Sequence, residues 1–200
     1  QNAIELSLRE RGSVHFSVEE RLPREFPVAI FKDTVPAHEV RPEVSTWLSA
    51  FLDQPVRLVR ISERAQRKFD AAYLNRTVRL VDAMPLLILS TASVQDLSQR
   101  VGVELPVRRF RPNIVLSNID AYAEDGFGEL RSAEITFKRL RSCGRCKLTT
   151  VDPETGATGD EPFKTLSSYR RTPQGSVAFG SYYAHLNEGR LHRGETLSTS

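Results

Sequence analysis

Apolar and polar positions alternate with period two at the start of the chain: Ile4, Leu6 and Leu8, then Val14, Phe16 and Val18, on either side of Arg11-Gly12. The pattern predicts a β-hairpin with a glycine turn, followed by a strand over Val28 to Phe31. From Pro42 the period changes. Val44, Trp47, Leu48, Phe51 and Leu52 recur at helical spacing, which predicts an amphipathic helix with Trp47 in the core and Pro42 in its first turn, where no N–H is needed. Val56 to Ile61 reads as a strand. Ser62 to Thr77 is polar, Arg-rich and aperiodic, the pattern of a long surface loop.

Pro85 to Leu89 is a short continuous apolar run and predicts a buried strand. Val94, Leu97 and Val101 follow at helical spacing with Gly102 as a stop. Beyond Arg109 the pattern returns to β at Ile114-Val115-Leu116, Ile135-Thr136-Phe137 and Leu148 to Val151, with turn-rich chain at Asp120 to Gly128 and at Asp152-Pro153-Glu154-Thr155-Gly156. Phe163, Leu166 and Tyr169 suggest a last short helix, and Val177 to Leu186 a closing strand. The expected fold is mixed α/β, mostly β: about eight short strands in a barrel-like domain with short helices inserted. There is no internal repeat, low-complexity tract or visible linker.

Composition narrows the class. With 40% apolar and 26% charged residues among 200, the chain is an ordinary globular one, not disordered or fibrous. No stretch is long and apolar enough to span a membrane, and Gln1 to Glu5 lacks the pattern of a signal peptide, so a soluble, intracellular, cytoplasmic protein is expected. Twenty-eight basic against 25 acidic residues leave +3, too mild to predict a nucleic-acid polymer as partner. The distribution is more informative. Arg108, Arg109 and Arg111 cluster ahead of one strand, while Arg139, Arg141, Arg145 and Lys147 surround the two cysteines, Cys143 and Cys146. If the fold joins these runs, they form a local anion site.

Cys143-Gly144-Arg145-Cys146 allows several chemistries. Structural zinc needs further Cys or His ligands, and His15, His38, His185 and His192 are scattered. A thioredoxin-type dithiol needs a following helix, and Lys147 to Val151 are β-formers. Two inert buried cysteines would be the plain alternative, against which the neighbouring cations argue. One cysteine can instead act as a thiolate ligand to a soft transition metal, with the cations holding an anionic cofactor's phosphate. No Walker loop or dinucleotide fingerprint is present. Glu124-Asp125 is a candidate acid pair or, more plainly, a turn.

Several separated motifs then agree in order with one family. Arg109-Phe110-Arg111-Pro112-Asn113-Ile114-Val115, Ala121-Tyr122-Ala123-Glu124-Asp125-Gly126, the Cys143 to Cys146 motif with Thr149-Thr150-Val151-Asp152-Pro153-Glu154-Thr155-Gly156, Glu161-Pro162, Thr165-Leu166, Tyr169-Arg170 and Phe179-Gly180 resemble the MOSC domain. The resemblance is to the branch containing the mitochondrial amidoxime reducing component and its bacterial counterparts, with the C-terminal domain of molybdenum cofactor sulfurase a more distant cousin. It covers Val28 to Leu197 and implies a MOSC-type β-barrel over residues 32–200, with 1–31 as the remnant of an N-terminal MOSC-associated β region.

The resemblance also implies a molybdenum-pyranopterin cofactor (Mo-molybdopterin). Cys146 would be the molybdenum ligand, Cys143 a neighbour. Arg111, Arg145 and Tyr182 fall on cofactor-contacting positions, Gly144 on a backbone contact and Asn113 on an orienting one. The implied activity is reduction of small N-hydroxylated compounds, amidoximes or hydroxylamino bases, to amines, with mitochondrial association possible. Electrons would come from a separate ferredoxin-, flavoprotein- or cytochrome b5-type protein. A cofactor-holding segment with a Lys-Ser pair and an arginine is expected in the family and is not found in these 200 residues. The other readings are a non-catalytic MOSC module that binds or carries the cofactor or sulfur, and a truncated fold that binds nothing.

Overall fold

The period-two start folds as a hairpin, β1 (Ala3–Leu8) against β2 (Gly12–Ser17), with Ile4 opposite Phe16 and Leu6 opposite Val14. The chain is seen in a computed structural model that describes residues 2–8, 12–31, 33–68, 77–78, 81 and 84–199. It divides into two compact units, Gln1–Asp82 and Ala83–Ser200.

In the first unit, β3 (Glu25–Ile30), β4 (Asp33–Glu39) and β5 (Val59–Ile61) form an antiparallel sheet. The strand β4 was not expected from the sequence, where Pro36 interrupts the pattern. In the sheet Pro36 faces Pro27, so the two residues that cannot donate a hydrogen bond share one register position. Helix α1 (Pro42–Leu52) starts on the predicted proline. Val44 is fully buried with Phe16 and Val40, but Trp47 is only partly buried and Phe51 and Leu52 are exposed, so the apolar stripe leaves the core along its length. Of the expected loop from Ser62 to Thr77, residues 69–76 lie outside the described ones; at its ends β6 (Arg67–Lys68) pairs with β7 (Thr77–Val78).

The second unit is built on six strands: β8 (Leu86–Ser90), β9 (Ile114–Leu116), β10 (Glu129–Arg131), β11 (Thr136–Arg145), β12 (Val177–His185) and β13 (Ser198–Thr199). Their order is β13-β10-β11-β12-β8-β9, curled as a half-barrel. The fold is mixed α/β, mostly β. Among the described strands only β8 and β9 run parallel, and the helix α2 (Thr91–Val101) belongs to the crossover between them. Ser90 ends β8 and caps α2 by accepting from the Ser93 N–H at 3.0 Å, and Gly102 closes the helix in the left-handed region at φ 83°. Alternation along β8 serves two apolar clusters. Leu89 packs with Val94, Leu97, Phe110, Phe179 and, from helix α3 (Phe163–Tyr169), Leu166; Ile88 packs with Leu130, Phe137 and Tyr183.

Two irregularities shape the β11–β12 ladder. Register passes from Arg139 opposite Tyr183 to Arg141 opposite Tyr182, which puts an extra residue in β11; it then passes from Ser142 opposite Ser181 to Gly144 opposite Ala178, which puts one in β12. Gly180 lies in the second bulge at φ 77°, and a Cβ there would meet the Ile88 carbonyl oxygen at 2.9 Å. Gly180→Ala is therefore expected to lower stability by more than the roughly 1–2 kcal/mol of the left-handed conformation alone, measured as a shift of the denaturant midpoint.

Candidate functional site

The segment Val107–Phe110 is a single 3-10 turn, fixed by Phe110, which is fully buried with its ring 4.7 Å from that of Phe179. After it, Arg111 adopts the left-handed conformation at φ 55°, its N–H donating to the Arg108 carbonyl at 3.0 Å. The side chain of Arg111 is exposed. The chain then reaches Asn113, which brackets one residue of β8. Its N–H donates to the Leu87 carbonyl and its Oδ1 accepts from the Leu87 N–H, both at 2.8 Å. Asn113 thereby starts the parallel pairing of β9 with β8. Leu87 in turn faces Tyr182 across β8 and β12, so Asn113, Leu87, Tyr182 and Arg141 form one row across the sheet.

The cysteines divide between two environments. Cys143 lies within β11 and is 1% exposed; Cys146 follows the strand and is exposed, and both are free thiols. The residues after Cys146 were expected to be a strand. They form a 3-10 turn, Lys147–Thr150, because the hydroxyls of Thr149 and Thr150 bond back to the carbonyls of Cys146 at 3.0 Å and Lys147 at 2.8 Å. The strand precedes the second cysteine, and a turn presents it.

Two arginines join this turn to the 107–111 segment. Arg145 donates through Nη2 to the Phe110 carbonyl at 2.8 Å and through Nη1 to the Cys143 sulfur at 3.1 Å. Arg109 runs the other way, donating to the carbonyls of Thr149 and Val151 at 3.4 and 3.2 Å and to the Asp152 carboxylate at 2.7 Å. Asp152 also collects the N–H groups of Glu154 and Thr155 at 2.9 and 3.0 Å, a carboxylate-closed turn. Those backbone hydrogen bonds, from Thr155 first, hold its carboxyl below the usual aspartate value.

Tyr182 faces Arg141 across the ladder, and burial, with Cys143 as the next contributor, pushes the ionisation of its hydroxyl well above the ordinary phenol value. The Arg141 guanidinium stands 5.3 Å from its ring centroid. At Gly144 a Cβ would fall 2.4 Å from the Ser176 hydroxyl, so glycine there lets the 172–176 turn close against the cysteine motif.

The two basic runs therefore do meet, but not all their charges stay available. Arg108 pairs with Glu154 and Arg109 with Asp152, whereas Arg111, Arg141, Arg145 and Lys147 have no acidic partner among the described residues. The Nε of Arg145 is buried without a hydrogen-bond partner. Of the residues singled out from sequence, Gly144, Arg145 and Cys146 are contiguous, Arg111 adjoins the Phe110 carbonyl held by Arg145, Tyr182 joins as the register partner of Arg141 and Leu87, and Asn113 joins through Leu87. Glu124 and Asp125 do not act as a pair. Glu124 is fully buried, its Oε1 accepting from the Ser90 N–H and the Ser93 hydroxyl at 3.2 and 2.7 Å, and Asp125 takes Arg170 and the Ser181 hydroxyl. No group of three His, Cys, Asp or Glu among the described residues could hold a metal ion. Sequence reasoning missed the anchoring role of Arg109, which acts across 43 positions on Asp152, and the junction at Cys143.

A curled six-stranded half-barrel with an exposed cysteine on a turn tied to an arginine-rich segment defines the class, and a profile of the MOSC domain matches residues 75–198: the chain belongs to the MOSC domain family. It is similar to "Mitochondrial amidoxime-reducing component 1" of Danio rerio, 39% identical over 179 residues, covering 84% of this chain and 55% of that protein. The human protein of the same name is 40% identical over 165 residues (76% and 49%), and human "Mitochondrial amidoxime reducing component 2" is 34% identical over 169 (78% and 50%). The chain spans about half the length of these curated relatives.

The two thiols should differ in access. In the native protein a maleimide is expected to modify one cysteine promptly, and peptide mapping should place it on Cys146, with Cys143 reacting only after unfolding. Equal labelling of both would contradict the burial described. For Asp152 the depressed folded value means that its contribution is present above the ordinary aspartate pKa of 3.8 and is lost as pH falls through the lower folded value. Asp152→Asn should remove that part of the acid-side loss of stability, read as a shallower fall in the unfolding midpoint below about pH 4.

Proposed function

We propose that this chain forms the cofactor-binding part of a molybdenum-dependent oxidoreductase that reduces N-hydroxylated compounds to amines. The observation that carries the reading is the exposed Cys146 thiol on a turn tied by Arg109 and Arg145 to the 107–111 segment, beside cations without acidic partners. That donor set suits a soft metal held by sulfur next to an anionic group. The buried, unpartnered Nε of Arg145 supports the same fit.

In this reading Cys146 supplies the sulfur ligand, Arg111 and Arg145 hold the pterin's phosphate, the Gly144 backbone contacts it, and Tyr182 and Asn113 orient it. The bound cofactor would supply the two-electron chemistry, with the protein contributing binding, orientation and electrostatics. Conversion of a hydroxylamino group to an amine takes two electrons and two protons and releases water. The electrons would come from a separate ferredoxin-, flavoprotein- or cytochrome b5-type donor. No helix among the described residues is long and apolar enough to cross a membrane, and the relatives' names support a mitochondrial association for an otherwise intracellular protein. Assignment of residues 32–200 to the MOSC domain, with 1–31 ahead of it, belongs to the same proposal; residues 32–74 precede the matched span.

The exposure of Cys146 also favours a second reading, a module that carries cofactor or sulfur to another protein without turnover. The readings separate in one set of measurements on protein from a host that makes the molybdenum cofactor. Near-stoichiometric molybdenum in the wild type and little in Cys146→Ser is expected under both. Oxidation of a reduced viologen dye by the holo protein on addition of a hydroxylamine is expected only for the reductase. Absence of molybdenum from the wild type would sink the oxidoreductase reading.

A further inference from the structure

Cys143 is the buried nucleophile for which the proposed reaction has no use. It is 1% exposed, and its sulfur accepts from Arg145 Nη1 at 3.1 Å. Arg145 stands at the end of the same strand, β11, and has a second restraint, the Phe110 carbonyl at 2.8 Å. A flexible arginine with five donors keeps one orientation only when more than one of them is engaged. Here the second anchor of Arg145 is a thiol.

We propose that Cys143 is a positioning residue for the cofactor site, a polar acceptor inside the sheet that fixes the Arg145 guanidinium relative to Cys146. The inference rests on the molybdenum reading given above. The two bulges enclose Arg141–Ser142 of β11 and Ser181–Tyr182 of β12, and Cys143 stands at the second of them, where the regular ladder is broken just before Arg145. Gly144 follows, with the Ser176 hydroxyl lying where a Cβ would be.

Two substitutions separate positioning from packing. Cys143→Val fills the space and accepts no hydrogen bond; Cys143→Ser accepts one and fills less. Each is compared with the wild type in the holo form, by the rate of molybdenum loss during dialysis and by the thermal unfolding midpoint. Positioning predicts that Cys143→Val loses molybdenum about tenfold faster, the scale of one hydrogen bond to a charged donor, and that Cys143→Ser stays within about threefold of the wild type. A packing role alone predicts the opposite order: normal retention in Cys143→Val, with the lower unfolding midpoint in Cys143→Ser. Wild-type retention in Cys143→Val overturns the positioning role while leaving the molybdenum reading intact. A wild type that holds no molybdenum overturns both.

Discussion

The arrangement of the site depends on the hydrogen bond from Arg145 to the Phe110 carbonyl. Phe110 sits at the centre of an apolar cluster with Leu89, Leu97, Leu166 and Phe179, so its carbonyl is as fixed as the core itself. A guanidinium attached to that oxygen refers the end of β11 to the core, and Arg109 does the same for the turn beyond Cys146. The two arginines cross: each leaves one segment and ends on the backbone of the other. Carbonyl acceptors make this robust, because they have no rotamers to choose among. Bonds of this charge-assisted kind contribute about 1.5–3 kcal/mol when well placed, enough to hold a turn that has only one helical revolution of its own.

The sheet sets what those arginines can reach. A regular antiparallel ladder would keep Arg141 and Gly144 in step with β12, but the extra residue near Leu140 and the compensating one near Phe179-Gly180 break the step twice. Bulges twist and bend the strand that carries them and re-aim its side chains. Gly180 makes the second one possible, since its backbone is left-handed and a Cβ on it would fall 2.9 Å from the Ile88 oxygen. The same strand pair thus carries Tyr182 toward the cysteine motif and keeps Phe179 in the core.

Elements defined by one clear period were legible in the sequence. The hairpin at Ile4 to Phe16, the helix from Pro42, the strand at Leu86 to Leu89 and the helix closed by Gly102 all follow from local spacing and turn chemistry. What escaped was decided by partners distant in sequence. Pro36 argues against a strand until it is known to face Pro27, and Leu148 to Val151 look like a strand until the threonine hydroxyls turn inward on the preceding carbonyls. Within the site, the clustering of arginines was visible but not their division of labour. Arg108 and Arg109 are committed to Glu154 and Asp152, while Arg111 and Arg145 keep their charge free of acids. Nothing in a run of cations distinguishes those two fates, because the carboxylates that decide it lie some forty residues away.

The cysteine motif makes the same point at closer range. In a continuing strand, residues three apart face opposite sides, and in a helix they share one, so the spacing of Cys143 and Cys146 alone allows a dithiol, a metal pair or two unrelated thiols. The structure ends the strand between them, and the burial of the first and exposure of the second follow from that ending. The thiol inside the sheet is engaged by what lies next to it, accepting from Arg145 at 3.1 Å and donating to the Gly144 carbonyl at 3.9 Å. A thiol on the turn faces outward and is free to bind. Two chemically identical side chains thereby acquire different capacities from one change of backbone direction, and the arginines on either side hold that change in place.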